Sequence, residues 1–474
     1  MSNMNGGAAG GATTGGQPFV PGEPKGLTRA QWIVLAASFL GWMFDGVEIG
    51  LFPVVVRPAL QSLGVADDKL IALWNSVVVA CFLLGAAAGG VLFGWLGDKF
   101  GRVRSMVMSI LIYSLFTGAC YFAAEAWQLG VFRFIASMGM GGEWALAVAL
   151  VMECWPERHR PKLAGAIGAA ANFGFLFIAL VAMRWHVTQD SWRWIMLVAA
   201  SPALLALLIA VFVPESERWK QSLKRGPSKP IREIFAPGLR KKTILAIVFS
   251  AIPLIGTWAA VSGWVPTWVD QMTQTAKAKT FLSTEQLAEF EKARTPDDKR
   301  TILKSHLSPE QWKQVTTETA GKKAEINVII SIGAIIGCFV APVIGGIFGR
   351  RPVYFGLCLL SLAGCGYLFG FLNEYNLQLM IVAAVVGAFT AAFYGWLPLY
   401  LPELFPTRVR ATGQGLSFNF GRIIAAGGNL VMGLQVYYYG GDYSRAMLYI
   451  TLVYAFGLVL IWFAPETKGK PLPE

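Results

Sequence analysis

Charged residues are scarce in this chain of 474 residues, in which only 14% are charged and 55% are hydrophobic. A soluble domain usually carries about a quarter charged residues, so this composition excludes an ordinary soluble protein and favours a chain that lies in lipid. The three histidines, His159, His186 and His306, all lie outside the long apolar runs. A histidine proton relay inside a membrane is therefore not expected.

Several signatures of chemistry are also missing from the sequence. The six cysteines lie in or beside apolar runs without metal-ligand spacing, so we interpret them as buried free thiols. We find no nucleophile elbow, metal-binding helix or phosphate loop. An enzyme, a cofactor and a metal site are therefore not expected. Residues 1–27 lack a signal peptide and are rich in Gly, Asn and Thr, which predicts a disordered cytoplasmic tail.

Long apolar runs dominate the rest of the chain. A membrane helix needs about 20 mostly apolar residues to cross a bilayer core of about 30 Å. Twelve such runs follow one another, near residues 31–56, 70–93, 106–123, 129–152, 163–183, 193–213, 243–268, 326–348, 353–371, 378–400, 413–437 and 446–464. The sequence therefore predicts an all-α membrane protein with twelve transmembrane helices.

The net charge of +12 is concentrated in alternate loops and in the central stretch 214–242. Cationic loops stay on the cytoplasmic side during insertion, so this asymmetry predicts a multi-pass protein of the cell inner (plasma) membrane with both termini cytoplasmic. The basic excess then reflects topology. Membrane lipid is the expected surrounding, and nucleic acid is not an expected partner.

Three motifs recur at nearly one displacement, which indicates an internal repeat. The displacements are 248, 247 and 250 residues, for Gly97-x-x-Phe100-Gly101-Arg102 and its copy at 345, Asn172-Phe173-Gly174 and its copy at 419, and Glu153-x-x-Pro156-x-Arg158-x-Arg160 and its copy at 403. Two parallel halves of this kind build two-bundle transporters. We therefore expect two pseudo-symmetric six-helix bundles.

The repeat divides the chain into five parts. They are the tail 1–27, an N-terminal bundle 28–213, a cytoplasmic linker 214–242, a C-terminal bundle 243–464 with an outer insertion 270–324, and a cytoplasmic tail 465–474. Within the insertion, Ser283, Thr295 and Ser308 each open a helix-capping pattern. These patterns predict two or three short exposed helices.

Four motifs resemble those of the major facilitator superfamily. They are Gly94-x-x-x-Asp98-Lys99-x-Gly101-Arg102-x-Arg104, Arg133-x5-Gly139-x-Gly141-Gly142-Glu143-Trp144, Pro214-Glu215-Ser216-x-Arg218-Trp219, and the segment from Pro402 to Gly413. Asp45-Gly46-x-Glu48 and Gly141-Gly142-Glu143-Trp144 are most similar to the sialate/lactate branch of carboxylate–proton symporters. The segment from Pro402 to Gly413 resembles metabolite–proton symporters, and the motif that begins at Pro214 resembles a sugar-porter element. The resemblance implies transport by alternating access, and we expect a functional monomer. The asparagine–histidine signature of lactate permeases is absent, which argues against lactate itself.

Charged residues near the predicted inner ends form the candidate gate. Asp98 and Arg102 belong to the signature loop, and Asp98 suits the positive N-terminus of the eleventh span. The pairs Glu153–Arg158 and Glu403–Arg408 are predicted to form matching ionic latches. The resemblance implies that these contacts hold the outward-open state. The alternative is that the charges only set topology.

Ionisable residues inside the spans are costly in lipid and usually mark a pathway. We predict that Asp45 and Glu143 take up the proton, with Glu48 as an alternative site and Arg133 as electrostatic partner. The alternative is a static buried ion pair that fixes helix packing.

Arg422 is the candidate for binding a substrate carboxylate, because a guanidinium group binds it bidentately. An ion pair between Arg422 and Glu143 or Asp45 is the alternative. Asn172, Asn419, Trp258 and Tyr394 complete the predicted substrate site, although contacts between helices would also explain them. The expected function is proton-coupled symport of a small organic anion. A sugar symporter and a drug or metabolite exporter remain as alternatives, and a membrane enzyme or receptor fits less well.

Overall fold

The computed structural model describes residues 27–65, 68–185, 187–224 and 228–474. Apart from Leu27, the predicted tail 1–27 lies outside these ranges. In the first half the structure contains α1 (Arg29–Ser62), α2 (Asp68–Phe100), α3 (Arg102–Ala119), α4 (Ala126–Cys154), α5 (Arg160–Arg184), α6 (Trp192–Ala199) and α7 (Pro202–Phe212). The linker contains two short helices, α8 (Glu217–Leu223) and α9 (Pro230–Ile234).

The second half repeats this helical order and adds helices between its first two spans. It contains α10 (Pro237–Pro253), α11 (Ser262–Lys279), α12 (Thr284–Lys292), α13 (Pro296–His306), α14 (Pro309–Phe348), α15 (Arg350–Phe371), α16 (Leu377–Ala391), α17 (Phe393–Tyr400), α18 (Arg410–Tyr438), α19 (Tyr443–Thr451) and α20 (Val453–Leu460). A π-helical turn, Leu254–Val261, joins α10 to α11. No strand occurs within the described ranges.

Eleven helical segments of the described chain are long and apolar enough to cross a membrane. The helix α18 is 29 residues long, but it buries the polar side chains of Gln414, Ser417, Asn419 and Arg422. With α18 the structure has the twelve predicted spans, and each predicted span overlaps one of these helices or helix pairs over most of its length. Helices satisfy their own backbone hydrogen bonds, which is why apolar runs in lipid fold this way.

Two glycines make the tight turns of the repeated signature loop. Gly101 joins α2 to α3 with φ of 112°, and Gly349 joins α14 to α15 with φ of 105°. This backbone conformation is open to glycine and strained for other residues. The two turns therefore place the ends of consecutive spans side by side at one end of the molecule, which we call the Asp98 end.

The outer insertion has the predicted helix starts. Ser283, Thr295 and Ser308 are N-caps whose side chains accept from the backbone N–H three residues later. The first two patterns begin the short helices α12 and α13. The third begins α14, which has 40 residues and is about 60 Å long. This length is twice the bilayer core of about 30 Å, so α14 belongs both to the insertion and to the eighth span.

The insertion is anchored to the second half of the chain. The backbone N–H of Asp297 donates to the carbonyl oxygen of Gly440 at 2.9 Å, and Nε2 of Gln271 donates to the carbonyl oxygen of Gly441 at 3.1 Å. Within the insertion, Lys277 pairs with Glu318 at 2.6 Å. A small apolar cluster of its own fills the interior, built from Ala278, Phe290, Leu303, Leu307 and Val315. The insertion therefore packs as a structured helical layer on the C-terminal bundle.

Apolar packing differs between the two ends of the molecule. Toward the Asp98 end, one continuous cluster contains buried residues of both halves. Toward the opposite end, the described residues form one cluster built from the first half alone and another built from the second half alone. The two bundles are thus packed together at the Asp98 end and have separate cores at the other.

Candidate functional site

Two buried carboxyl groups face each other in the first half. Asp45 of α1 and Glu143 of α4 are fully buried, and their side chains lie within hydrogen-bonding distance of each other. Neither accepts a hydrogen bond from any donor in the described part of the chain. Gly41 makes room for this pair, because a Cβ atom there would lie 1.8 Å from Oε1 of Glu143.

Arg422 of α18 brings a positive charge to this pair from the second half. It interacts electrostatically with Asp45, and its guanidinium carbon lies 4.9 Å from the ring centre of Phe418. Among the described residues it donates one hydrogen bond, to Oδ1 of Asn419 at 3.0 Å. A guanidinium group has five N–H donors, so most of them remain for a ligand.

Aromatic side chains surround this arginine. Trp144 stacks on Phe418 with ring centres 4.2 Å apart, and Tyr394 meets Phe418 edge-on at 6.5 Å. Tyr394 also lies close enough to Arg422 for an electrostatic interaction. The structure thus brings the predicted residue Tyr394 to Arg422, whereas the side chain of Trp258 lies outside the described residues.

The two predicted asparagines have different surroundings. Nδ2 of Asn419 donates to the carbonyl oxygens of Gly141 and Gly415, both at 2.9 Å, so this amide links α18 to α4. Asn172 donates to Sγ of Cys338 at 3.6 Å. Because Asn419 also accepts from Arg422, its geometry favours the alternative of an amide between helices that orients the arginine.

Glu48 and Arg133 form a second charged group, farther from the Asp98 end. Arg133 of α4 forms an ion pair with Glu48 of α1, and both are buried. Thr117 of α3 donates to the same carboxylate oxygen at 3.0 Å. The Arg133 guanidinium also lies 4.4 Å from the ring centre of Phe52. The reach of Arg133 to Glu48 is as predicted, while the cation that acts on Asp45 is Arg422.

Tyr113 is a residue that sequence reasoning missed. It lies on α3 and is fully buried, and its hydroxyl has no hydrogen-bond partner within the described residues. Both Asp45 and Glu143 are close enough to interact with it electrostatically. A tyrosine in an apolar helix gives no pattern that separates it from packing residues, so only the fold shows its position beside the carboxyl pair.

Asp98 joins the two halves at the Asp98 end. Its carboxylate accepts from the backbone N–H of Ala411 at 3.2 Å and of Thr412 at 2.8 Å, and from the Thr412 hydroxyl at 2.6 Å. These donors lie in the first turn of α18. The predicted contact between Asp98 and the N-terminus of the eleventh span is therefore confirmed. In the second copy, Gly346 replaces the aspartate and lies near Pro161.

Buried ion pairs surround Asp98. Arg102 pairs with Asp98 at 2.9 Å and with Glu153 at 3.0 Å. Glu153 also pairs with Arg410 of the other half at 2.9 Å, and Arg102 donates to the carbonyl oxygen of Thr407 at 2.7 Å. We call Asp98, Arg102, Glu153 and Arg410 the gate network. It ties the two bundles together at this end.

The predicted pairs Glu153–Arg158 and Glu403–Arg408 are wrong. Glu153 pairs with Arg102 and Arg410, and Glu403 pairs with Arg350 at 2.6 Å. Arg158 and Arg408 are exposed; the former donates to His159, and the latter pairs with Glu233 of the linker at 2.9 Å. In each Arg-x-Arg motif the first arginine faces outward and the second, Arg160 or Arg410, is buried.

A further repeated motif was also missed. Glu215 accepts from the backbone N–H groups of Arg102 and Val103, and Glu466 accepts from those of Arg350 and Arg351. Partial burial raises the pKa of Glu466, but these and two further backbone N–H donors lower it more, to a value below the ordinary one. Pro465-Glu466-Thr467 is thus the copy of Pro214-Glu215-Ser216 at a displacement of 251 residues, a signal that the sequence contains.

The two arginines near the start of α18 provide a matched test of the gate network. Arg410→Gln should strongly reduce transport and favour opening at the Asp98 end, because it leaves the buried Glu153 with one cation instead of two. Arg408→Gln removes an equal charge from an exposed pair and should change little. Opening can be measured as thiol labelling of Cys154, which lies beside Glu153.

In that comparison, equal labelling and equal transport in the two variants would contradict the gating role. A loss of folded protein in Arg410→Gln would be visible as a lower yield in size-exclusion chromatography, and it is controlled by Arg410→Lys. Lysine keeps the charge, so this variant should regain most of the closed state.

Two related bundles, joined at one end and meeting at a buried charged site, define a secondary transporter. The chain belongs to the Major Facilitator Superfamily, whose family model matches residues 32–284 and 311–474. It is therefore a transporter and not an enzyme, as the resemblance of its motifs implied.

Curated relatives span nearly the whole chain. The chain is 26% identical over 425 residues to the cis,cis-muconate transport protein of Acinetobacter baylyi, covering 85% of this chain and 90% of the relative. It is 24% identical over 439 residues to the sialic acid transporter NanX of Escherichia coli, covering 92% and 94%. These relatives agree with the expected branch of metabolite and carboxylate transporters.

The fold is also similar to solved structures. The proton:xylose symporter XylE superposes with a TM-score of 0.68 at 17% identity, covering 94% of this chain and 98% of that protein. At this level of identity the likeness concerns the fold. It agrees with a twelve-helix arrangement in two bundles.

Proposed function

We propose that this chain is a symporter that carries a small organic anion together with a proton. The observation that supports this most directly is the meeting of Asp45 and Glu143 from one bundle with Arg422 from the other. A binding site at the interface of two bundles is reached from either side as the bundles rock. The charged groups of the site therefore couple the binding of ligand and proton to the side of the membrane on which the site is open.

The carboxyl pair is the proposed proton site. Like charges at hydrogen-bonding distance cannot both be ionised in a buried site, so Asp45 and Glu143 share one proton in this conformation. Glu48 is not part of this pair, because it forms its own ion pair with Arg133. Exposure to water on the other side of the membrane would stabilise the second charge and release the proton.

Arg422 is the proposed anion site. Its remaining N–H donors suit a planar carboxylate, and the aromatic rings of Phe418 and Tyr394 suit an unsaturated or cyclic body. Muconate and sialic acid, the substrates in the names of two relatives, are both acids. A neutral sugar would offer no anionic acceptor to the remaining N–H donors of the buried arginine.

The proposed orientation places the Asp98 end in the cytoplasm, together with both termini, in the cell inner membrane. The basic loops and linker lie at this end, in agreement with the rule for cationic loops. In this orientation the described conformation is closed to the cytoplasm by the gate network. The protein is proposed to act as a monomer, because each site is complete within one chain.

The experiment is to measure external pH in a lightly buffered suspension of de-energised cells that express the protein. cis,cis-Muconate, sialate, aromatic acids and neutral sugars are added one at a time. Alkalinisation with one acid, absent in cells without the protein, supports symport of that acid and a proton. A response to neutral sugars alone would reject the anion site and favour a sugar symporter.

A response to none of these compounds would reject proton-coupled uptake of the tested acids. Direction can then be tested in inverted vesicles, where acidification of the lumen by an added acid would indicate export. The same preparations yield the amount of folded protein. Poor expression is thereby distinguished from lack of activity.

A further inference from the structure

A cavity lies at the surface of the Asp98 end, away from the transport site. It has a volume of about 470 Å³ and lies between the last turns of α2 and the start of α9. Trp95 and Lys99 line it from α2, and Lys229, Ile231 and Arg232 line it from the linker. The transport mechanism proposed above uses none of these residues.

The charges in this cavity lack partners of opposite sign. Lys99 donates to the carbonyl oxygen of Ser228, and the described residues place no carboxylate in an ion pair with Lys99, Lys229 or Arg232. Asp98 and Glu233 are the acidic residues next to the cavity cations in the chain, but both have other partners: Asp98 pairs with Arg102, and Glu233 pairs with Arg408 and accepts from the backbone N–H of Lys229. Three cations therefore face one cavity without a counter-charge.

The rim of the cavity is apolar and faces outward. Ile231, which lines the cavity, is 44% exposed, and Phe100 at the end of α2 is 54% exposed. Trp95 meets Phe100 edge-on at 6.4 Å. These residues lie where a membrane span ends, which is the depth at which aromatic rings contact lipid headgroups and upper acyl chains. A cationic floor with an apolar rim matches a molecule that has an anionic head and a hydrocarbon tail.

We propose that this cavity binds the headgroup of an anionic phospholipid. The phosphate would lie between Lys99 and the two linker cations, and the acyl chains would extend along Trp95 and Phe100 into the bilayer. Basic pockets beside the ends of membrane helices bind anionic headgroups in this way. Free phosphate has the same charged group but gains nothing from the apolar rim.

The position of the cavity gives the lipid a structural effect. The helix α9 lines the cavity. Its Glu233 forms an ion pair with Arg408, which lies just before the start of α18. Trp219 of the linker donates to the carbonyl oxygen of Asp98 at 2.9 Å. A lipid that joins α2 to α9 would therefore brace the linker against both bundles next to the gate network.

The test uses purified full-length protein and native mass spectrometry. The protein is mixed with dioleoyl phosphatidylglycerol or with dioleoyl phosphatidylethanolamine, and the retained lipid is counted. The cavity variant is Lys99→Gln/Lys229→Gln/Arg232→Gln. Its matched control is Lys224→Gln/Arg240→Gln/Lys241→Gln, which removes the same charge from exposed linker positions outside the cavity. The cavity variant should retain phosphatidylglycerol at least about tenfold less than wild type, and the control should match wild type.

Three results would overturn the proposal. Equal losses in both triple variants would indicate general surface charge instead of a site. Equal retention of the two lipids by the wild type would show that the anionic headgroup is not selected. If the wild type retained inorganic phosphate alone and the cavity variant did not, the cavity would be assigned to a soluble anion. If the triple variant does not fold, Lys229→Gln/Arg232→Gln changes only exposed side chains and should still lose most of the selectivity.

Discussion

Substituting Arg422 with lysine should strongly weaken saturable binding of the organic acid, although the charge is kept. Lysine offers a point charge with three donors, whereas the site is arranged for a planar guanidinium held by Asn419 and placed over Phe418. A hydrogen bond to a charged group contributes about 1.5–3 kcal/mol. Loss of a bidentate contact should therefore weaken binding by about 100-fold, and Arg422→Ala should weaken it further.

This result is best measured as exchange, in which labelled substrate inside vesicles is lost to unlabelled substrate outside without a proton gradient. Exchange reports binding and bundle movement independently of proton coupling. Arg445→Lys is the matched control, since it makes the same change at an exposed position of the same bundle. Wild-type exchange in Arg422→Lys would exclude direct recognition of the substrate by this arginine.

Asp45→Asn and Glu143→Gln should separate proton coupling from substrate movement. Each variant replaces one member of the carboxyl pair with a neutral group, so no shared proton is available for release. Uphill accumulation driven by an inward proton gradient should fall to the level of facilitated diffusion, at least about tenfold below wild type. Exchange should persist, because Arg422 still binds the anion.

The two carboxyl variants are compared with Glu374→Gln, which neutralises an exposed carboxylate. If accumulation survives in both Asp45→Asn and Glu143→Gln, the pair does not carry the coupled proton. If exchange is lost together with accumulation, the pair acts in substrate binding or folding. Thermal stability of the purified variants distinguishes these last two outcomes.

The fold was accessible from the sequence because lipid imposes a strong rule on it. Apolar runs of membrane length must become helices, and the repeated motifs then order these helices into two halves. Local chemistry was equally informative at the caps, where Ser283, Thr295 and Ser308 begin helices as predicted. The contact of Asp98 with α18 followed from the preference of a helix N-terminus for negative charge.

Which charged side chains pair with each other was harder to predict from the sequence. The distinction between Arg408 and Arg410 depends on which side of a short turn faces the interior, and their spacing of two residues does not reveal it. The pairing of Arg133 with Glu48 left Arg422 as the cation near Asp45, an arrangement that depends on the packing of three helices. Tyr113 could not be recognised at all, since a tyrosine in an apolar helix is usually a packing residue.

The repeat also contained more than was recognised. Glu215 and Glu466 accept equivalent backbone hydrogen bonds at the starts of α3 and α15. Their motifs, however, share only Pro and Glu, which are followed by Ser in one copy and by Thr in the other. Two identical letters are too few to establish a copy. The hydrogen bonds show the correspondence because the donors, the backbone N–H groups after Gly101 and Gly349, are themselves equivalent.

Because α14 belongs both to the insertion and to the eighth span, the position of the insertion reports the tilt of that span. One helix of about 60 Å runs from the insertion to Gly349, so a tilt of about 10° about its Gly349 end would displace its other tip by about 10 Å. In the proposed orientation, a fluorophore or a small antibody fragment fixed near Pro309 would follow the rocking of the C-terminal bundle from outside the cell. Turnover of single molecules could then be observed without any label near the substrate.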